Sequence, residues 1–244
     1  MKKTLLALAL ALAAGGAQAI PLSDLLAGAT ITANDKLFDQ WTLIYFDSSD
    51  PARVFNGAQI DVQALTDGGL DPGPGLRFTV SGDELTIDGN GTYAYIDLMF
   101  GFRVSVLDPK LRIKDNSLDL YSAFYVYAWD PLHPGAYGPL DVGSYIRETI
   151  GTAQWLDDLG VKDVQFSFAD GVGQTVDLSD HADFAPQSVV YVTKNILVWA
   201  SATTDVAGIW GFDQRFSQVP EPATLGLLGL GLAGLGFARL RRTA

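Results

Sequence analysis

The sequence predicts an all-β domain, an antiparallel β-sandwich or barrel-like single domain, with a segment at each end that does not belong to it. Three observations predict it. Short runs rich in β-branched and aromatic residues recur along the chain, clusters of Gly, Pro, Asp and Asn separate them, and apolar and polar residues alternate within them.

Taken in order, the runs at 40–46, 76–80, 85–88, 92–107, 118–129, 164–168, 189–200 and 206–216 read as strands. Turn signals stand between them: DGGLDPGPG at 67–75, SGDE at 81–84, DGNG at 88–91, DPK at 108–110 and KDNS at 114–117. Only 144–159, around TAQWLDDLG, tempts a helical assignment. Two strands alternate well enough to assign faces, because successive side chains point to opposite sides of a sheet. In 92–102, Ala94, Ile96, Leu98, Phe100 and Phe102 share the core face, with Tyr93, Tyr95, Asp97 and Met99 opposite. In 118–129, Leu118, Leu120, Phe124, Val126 and Ala128 share the core face, with Asp119, Tyr121, Tyr125, Tyr127 and Trp129 opposite. In the last strand Val206, Trp210, Phe212 and Phe216 form the packed side, with Asp213, Arg215 and Ser217 on the wet side.

The first nineteen residues, MKKTLLALALALAAGGAQA, have two lysines, an apolar run and small residues at Ala17 and Ala19. This is the three-part secretory pattern that a signal peptidase removes. The other end is apolar and uncharged from 223 to 238, about 24 Å as a helix at ~1.5 Å per residue. Arg239, Arg241 and Arg242 follow it and act as a membrane stop under the positive-inside rule, which leaves the body outside the cell membrane. A span at about 223–240 fits either a temporary or a permanent C-terminal anchor. The expected organisation is therefore signal peptide 1–19, extracellular β domain 20–218 and C-terminal segment 219–244.

Charge and composition exclude several functions. The chain has a net charge of −12, and all 28 acidic residues lie at or before Glu221. Five of the sixteen basic residues are terminal (Lys2, Lys3, Arg239, Arg241 and Arg242), so the body is more acidic than the whole. Such a field repels nucleic acid and anionic lipid. With no cysteine, disulfides, thiolate metal sites and cysteine nucleophiles are excluded.

The C-terminal residues carry a resemblance. Val219-Pro220-Glu221-Pro222-Ala223-Thr224, a Gly/Leu-rich run and an arginine-rich end resemble the PEP-CTERM sorting signal of Gram-negative exoproteins. The resemblance implies recognition of Pro220, Glu221 and Pro222 by an exosortase, an integral-membrane cysteine protease that removes the tail. It also implies a temporary membrane anchor, a final location at the cell surface or beyond, and an association with exopolysaccharide and biofilm. The stretches 32–43, 147–149, 191–200 and 206–222 are similar to segments of other small PEP-CTERM exoproteins, which implies a shared β fold and no particular activity. Independently, two prolines flanking Glu221 hold that segment extended, as a protease cleft requires.

Three functions remain for the body. A non-enzymatic matrix protein would bind sugar through Tyr93, Tyr95, Tyr121, Tyr125, Tyr127 and Trp129, whose flat rings stack on pyranose faces. A calcium-stabilised adhesive or structural protein would use aspartates in DGGLDPG and DGNG, although neither matches a twelve-residue calcium loop. A secreted hydrolase would draw on His133, or on His181 with Asp180 and Asp183, yet no HExxH, nucleophile elbow or phosphate loop is present. The expectation is the first: no enzyme, no cofactor, and exosortase, signal peptidase and exopolysaccharide as partners.

Overall fold

Ala94, Ile96, Leu98, Phe100 and Phe102 are all sealed from solvent, as their alternation predicts, and their strand is central to one of two facing sheets. The computed structural model describes residues 18–128 and 140–221. In chain order the elements are β1 (Ile20–Pro21), α1 (Leu22–Leu26), β2 (Ile31–Ala33), β3 (Lys36–Ser48), β4 (Ile60–Leu65), β5 (Gly75–Val80), β6 (Thr86–Asp88) and β7 (Ala94–Val106). There follow β8 (Leu111–Val126), β9 (Asp141–Gly151), β10 (Gly160–Ala169), β11 (Gly173–Asp177), β12 (Ser179–Gln187), β13 (Val189–Ala200), β14 (Val206–Arg215) and β15 (Gln218–Pro220).

One sheet runs β1-β4-β5-β14-β8-β12, with β6 also on β14 and β15 also on β8; the other runs β11-β10-β9-β13-β7-β3-β2. All pairings are antiparallel and neither sheet closes into a barrel, so the fold is a sandwich. Between the sheets lies an aromatic core. The Trp41 ring stacks on Phe102 at 4.4 Å, Phe78 stacks on Phe212 at 4.5 Å, and Phe38 meets Phe216 at 5.7 Å. Full burial of each such ring contributes about 1.5–3 kcal/mol relative to exposure.

Charges also occupy this core. Lys162, Glu148 and Lys194 are direct cross-strand partners on the inner face of β10, β9 and β13, and all three are fully buried. Glu148 Oε1 lies 2.7 Å from Lys162 Nζ and accepts from Gln214 Nε2 at 2.8 Å, while Oε2 meets Lys194 Nζ. The Lys194 ammonium also stands 5.2 Å and 5.6 Å from the ring centroids of Phe212 and Phe78.

Three sequence expectations are corrected. The stretch 144–159 is not helical: β9 runs to Gly151, and a turn brings the Leu159 N–H back to the Ile150 carbonyl. KDNS at 114–117 lies inside β8, where Asn116 is buried and Asp115 accepts from the Ser217 N–H, so a turn-like composition is held extended by its neighbours. The face assignments also fail at two breaks in register between β14 and β8: β14 carries an extra residue at Ile209–Gly211 opposite Ala123 and Ser122, and β8 carries one between Asp119 and Ser122 opposite Asp213 and Gly211. A bulge adds a residue to one strand and reverses inside and outside thereafter. Ile209 and Phe212 therefore point inward while Trp210 is half exposed, and Val126 is exposed while Tyr125 packs toward the core.

No helix among the described residues is long and apolar enough to cross a membrane, and the run at 223–240 lies outside them. At the start, Ala19 is exposed and directly precedes β1, whereas Ala17 and the apolar run lie outside the described residues.

Candidate functional site

The outward face of the seven-stranded sheet is built by the same alternation that fills the core. Inward residues on β7 force Tyr95, Asp97 and Met99 outward, and the registers place Asp47 opposite Asp97, Tyr45 opposite Met99 and Trp199 opposite Tyr95. Across this face aromatic rings and carboxylates are paired. Tyr95 Oη donates to Asp47 Oδ2 at 2.9 Å, Tyr45 Oη donates to Asp97, and Asn195 Nδ2 donates to Asp97 Oδ1 at 2.7 Å. Further along, Trp199 Nε1 donates to Asp141 Oδ1 at 2.6 Å and Tyr145 Oη donates to Asp163. Arg147 stands 3.6 Å from the same Asp163 carboxylate.

The pairing holds the phenols protonated. Desolvation, helped by the hydrogen bond to Asp97, pushes the Tyr45 hydroxyl up to about 12. The hydrogen bond to Asp47 raises Tyr95, and desolvation raises Tyr93. Tyr93 and Tyr45 remain 42 % and 37 % exposed, and the Tyr93 and Tyr95 ring centroids are 5.9 Å apart. The arrangement offers exposed ring faces beside fixed carboxylate and amide oxygens. That combination can stack on an apolar sugar face and accept hydrogen bonds from its hydroxyls.

The six aromatic residues singled out in sequence do not form one surface. Tyr93 and Tyr95 lie on this face. Tyr121 lies on the outer side of the opposite sheet, where Arg77 sits 5.0 Å from its ring centroid and Tyr121 Oη donates to the Phe78 carbonyl at 3.1 Å. It crosses β14 over Gly211, where a Cβ would come within 2.1 Å of its hydroxyl. Tyr125 and Tyr127 face the other way, against Phe166 and Phe168 of β10, with centroids 4.8 Å and 4.5 Å apart. Trp129 lies outside the described residues. What residue type alone missed is Tyr45, Asp47, Asp97, Asn195 and Trp199. Their signal was parity, since each shares the outward register of Tyr95 on its own strand.

The other candidates are more dispersed. His181 and Asp183 are largely exposed on edge strand β12 with 3.8 Å between Nε2 and Oδ2, while Asp180 accepts from the Asp163 N–H. His133 lies outside the described residues. The aspartates of the DGGLDPG turn are engaged by cationic side chains: Arg215 holds the Asp67 carboxyl below its usual range, and Lys114 does the same for Asp71. Among the described residues no group of three or more His, Cys, Asp or Glu side chains is placed to hold a metal ion.

The first residues of the sorting motif are structured. Strand β15 pairs with β8, Val219 opposite Arg112 and Pro220 opposite Leu111. The Glu221 N–H donates to the Lys110 carbonyl at 2.5 Å, and its carboxylate takes the Arg112 guanidinium at 2.5 Å. Pro222, Arg239, Arg241 and Arg242 lie outside the described residues.

Comparison with known proteins identifies one segment. Residues 218–242 match the family described as the PEP-CTERM protein-sorting motif, so the chain bears a sorting signal of exported exosortase substrates at its C-terminal end. No curated protein matches the chain. Among solved structures, TmCBM61 in complex with beta-1,4-galactotriose is 10 % identical, with 75 % of this chain and 89 % of that one covered at a TM-score of 0.23. The enzymatically active domain of Bacteriophage CBA120 tailspike protein 4 is 14 % identical, covering 74 % of this chain and 19 % of that one at 0.19. Likenesses at these scores carry no functional argument.

Proposed function

We propose that this exported, PEP-CTERM-bearing protein is a non-enzymatic component of the cell surface or extracellular matrix, and that it holds exopolysaccharide on the outward face of its seven-stranded sheet. A signal peptidase frees the N-terminus, the C-terminal run anchors the chain temporarily, and an exosortase removes it.

One observation carries the reading: the exposed Tyr45 and the half-buried Tyr95 have their hydroxyls fixed on Asp97 and Asp47, with Asn195 also on Asp97, across adjacent strands of one open sheet face. Ring faces held in place lose little freedom on binding, which favours weak, repeated contacts along a polymer. The acidic body suits a neutral or cationic polysaccharide better than an anionic one.

The test is affinity electrophoresis of the domain in gels containing exopolysaccharide from exosortase-bearing bacteria. Retardation is expected for the wild type and a loss of about tenfold or more for Y93A/Y95A, since each stacked ring contributes about 0.5–1.5 kcal/mol. Tyr121→Ala, on the opposite sheet, should leave retardation unchanged. Equal retardation of all three proteins, or none, would sink the proposal.

A further inference from the structure

The sorting motif begins inside the fold. Strand β15 pairs with the start of β8, whose other side carries β12, and the Gln218 N–H is further tied to the Leu70 carbonyl at 2.8 Å. Gln218 itself is nearly buried, its side-chain oxygen against the buried Lys36 ammonium. Pro220 sits at the end of this short strand, a position a residue without an N–H tolerates. Glu221 is then clamped twice, by its N–H to the Lys110 carbonyl and by its carboxylate to Arg112. The apolar run starts at Ala223, two residues beyond the clamp, so no free linker separates the folded domain from the tail.

A protease engages its substrate as an extended strand and uses the backbone hydrogen-bonding groups of that strand. Those of β15 are already committed to β8. We infer that the folded domain masks its own sorting motif, and that exosortase processing requires β15 and Glu221 to peel from β8, with Arg112 as the latch that sets how often they do. A three-residue strand held by one pairing is the kind of element that opens locally without global unfolding. The latch would keep the tether intact until the membrane protease captures an opened strand. The inference rests on the sorting reading and adds to it the state in which the motif can be cut.

The chain has no cysteine, so a single engineered pair can staple β15 to β8. Arg112 and Val219 are direct cross-strand partners, and R112C/V219C would bond β15 to β8. Full-length precursors are incubated with membranes that contain an exosortase, and conversion to the shortened form is followed by intact mass. The oxidised staple is expected to resist conversion while the wild type matures under the same conditions, and dithiothreitol should restore it. Arg112→Glu, which sets like charges at the clamp, is expected to mature about two- to fivefold faster, the scale of one partly exposed ion pair. Thermal unfolding of R112E near the wild-type midpoint separates an opened latch from an unfolded domain. Conversion of the oxidised staple at the wild-type rate overturns the inference, as does R112E no faster than wild type. Failure of the wild type itself to be cut overturns the sorting reading and the inference with it.

Discussion

Lys194 shows how little residue type says about location when a sheet sets the register. In VTKNILVW the alternation that buries Val192, Ile196 and Val198 also buries Lys194, and the same parity buries Glu148 and Lys162 on neighbouring strands. Burial, opposed by Glu148, brings the Lys194 ammonium down to about 8, and burial also lowers Lys36. In the unfolded chain these lysines keep their protons to near 10.5. Between pH 8 and 10 the unfolded state therefore binds more protons than the folded one, and stability rises with pH. Above pH 10 the sign reverses, because Tyr45 stays protonated in the fold to about 12 and loses its proton earlier when unfolded. Urea midpoints should climb from pH 8 to 10 and then fall. Lys194→Met leaves Glu148 neutralised by Lys162 and should flatten the climb; an unchanged slope would show that Lys194 does not titrate there.

The strands made of contiguous β-branched and aromatic runs were legible because spacing and turn residues are local properties, whereas β1, β2, β4, β9, β11, β12 and β15 were not read from the sequence. Inside and outside were legible only as far as the first bulge. Strand β7 keeps an unbroken register with β13, the two slips against β3 place their extra residues on β3, and the assigned faces of β7 hold. Strand β14 slips against β8 at Ile209–Gly211, and from that point simple alternation groups Trp210 with Phe212 although they face opposite ways. The expected consequence is unequal cost. Phe212→Ala should destabilise by about 3–5 kcal/mol because it empties a site packed on Phe78. Trp210→Ala, half exposed and resting on Phe124, should cost no more than about 1 kcal/mol. Equal losses in urea denaturation would mean that the bulge does not reverse the faces.

At the scale of the molecule, the chain returns to its beginning through its end. Phe216 fills the core against Phe38, and Gln218 meets Lys36, so the last residues before the tail complete the sandwich. A protein starting at Ile20 and ending at Glu221 should match the unfolding midpoint of one that retains the tail. Ending at Arg215 should cost at least about 3–5 kcal/mol, the loss expected for emptying the Phe216 site alone. Thermal unfolding of the two truncations checks this, and similar midpoints would place Phe216 outside the stabilising core. The candidate binding face is also a property of the whole, since it draws on β3, β7, β13, β9 and β10.

The sequence by itself determined the class of fold, most of the strands and the sorting signal, because each is written in contiguous residues: period-two alternation, turn composition and a motif followed by an apolar run. Only the tertiary structure decided which tyrosines share a surface, where the buried charges meet, and that the sorting motif starts as a short strand on β8 with Glu221 paired to Arg112. The physical reason is that these depend on register between strands far apart in the chain. A one-residue slip exchanges the two faces of a strand, and no local pattern records it.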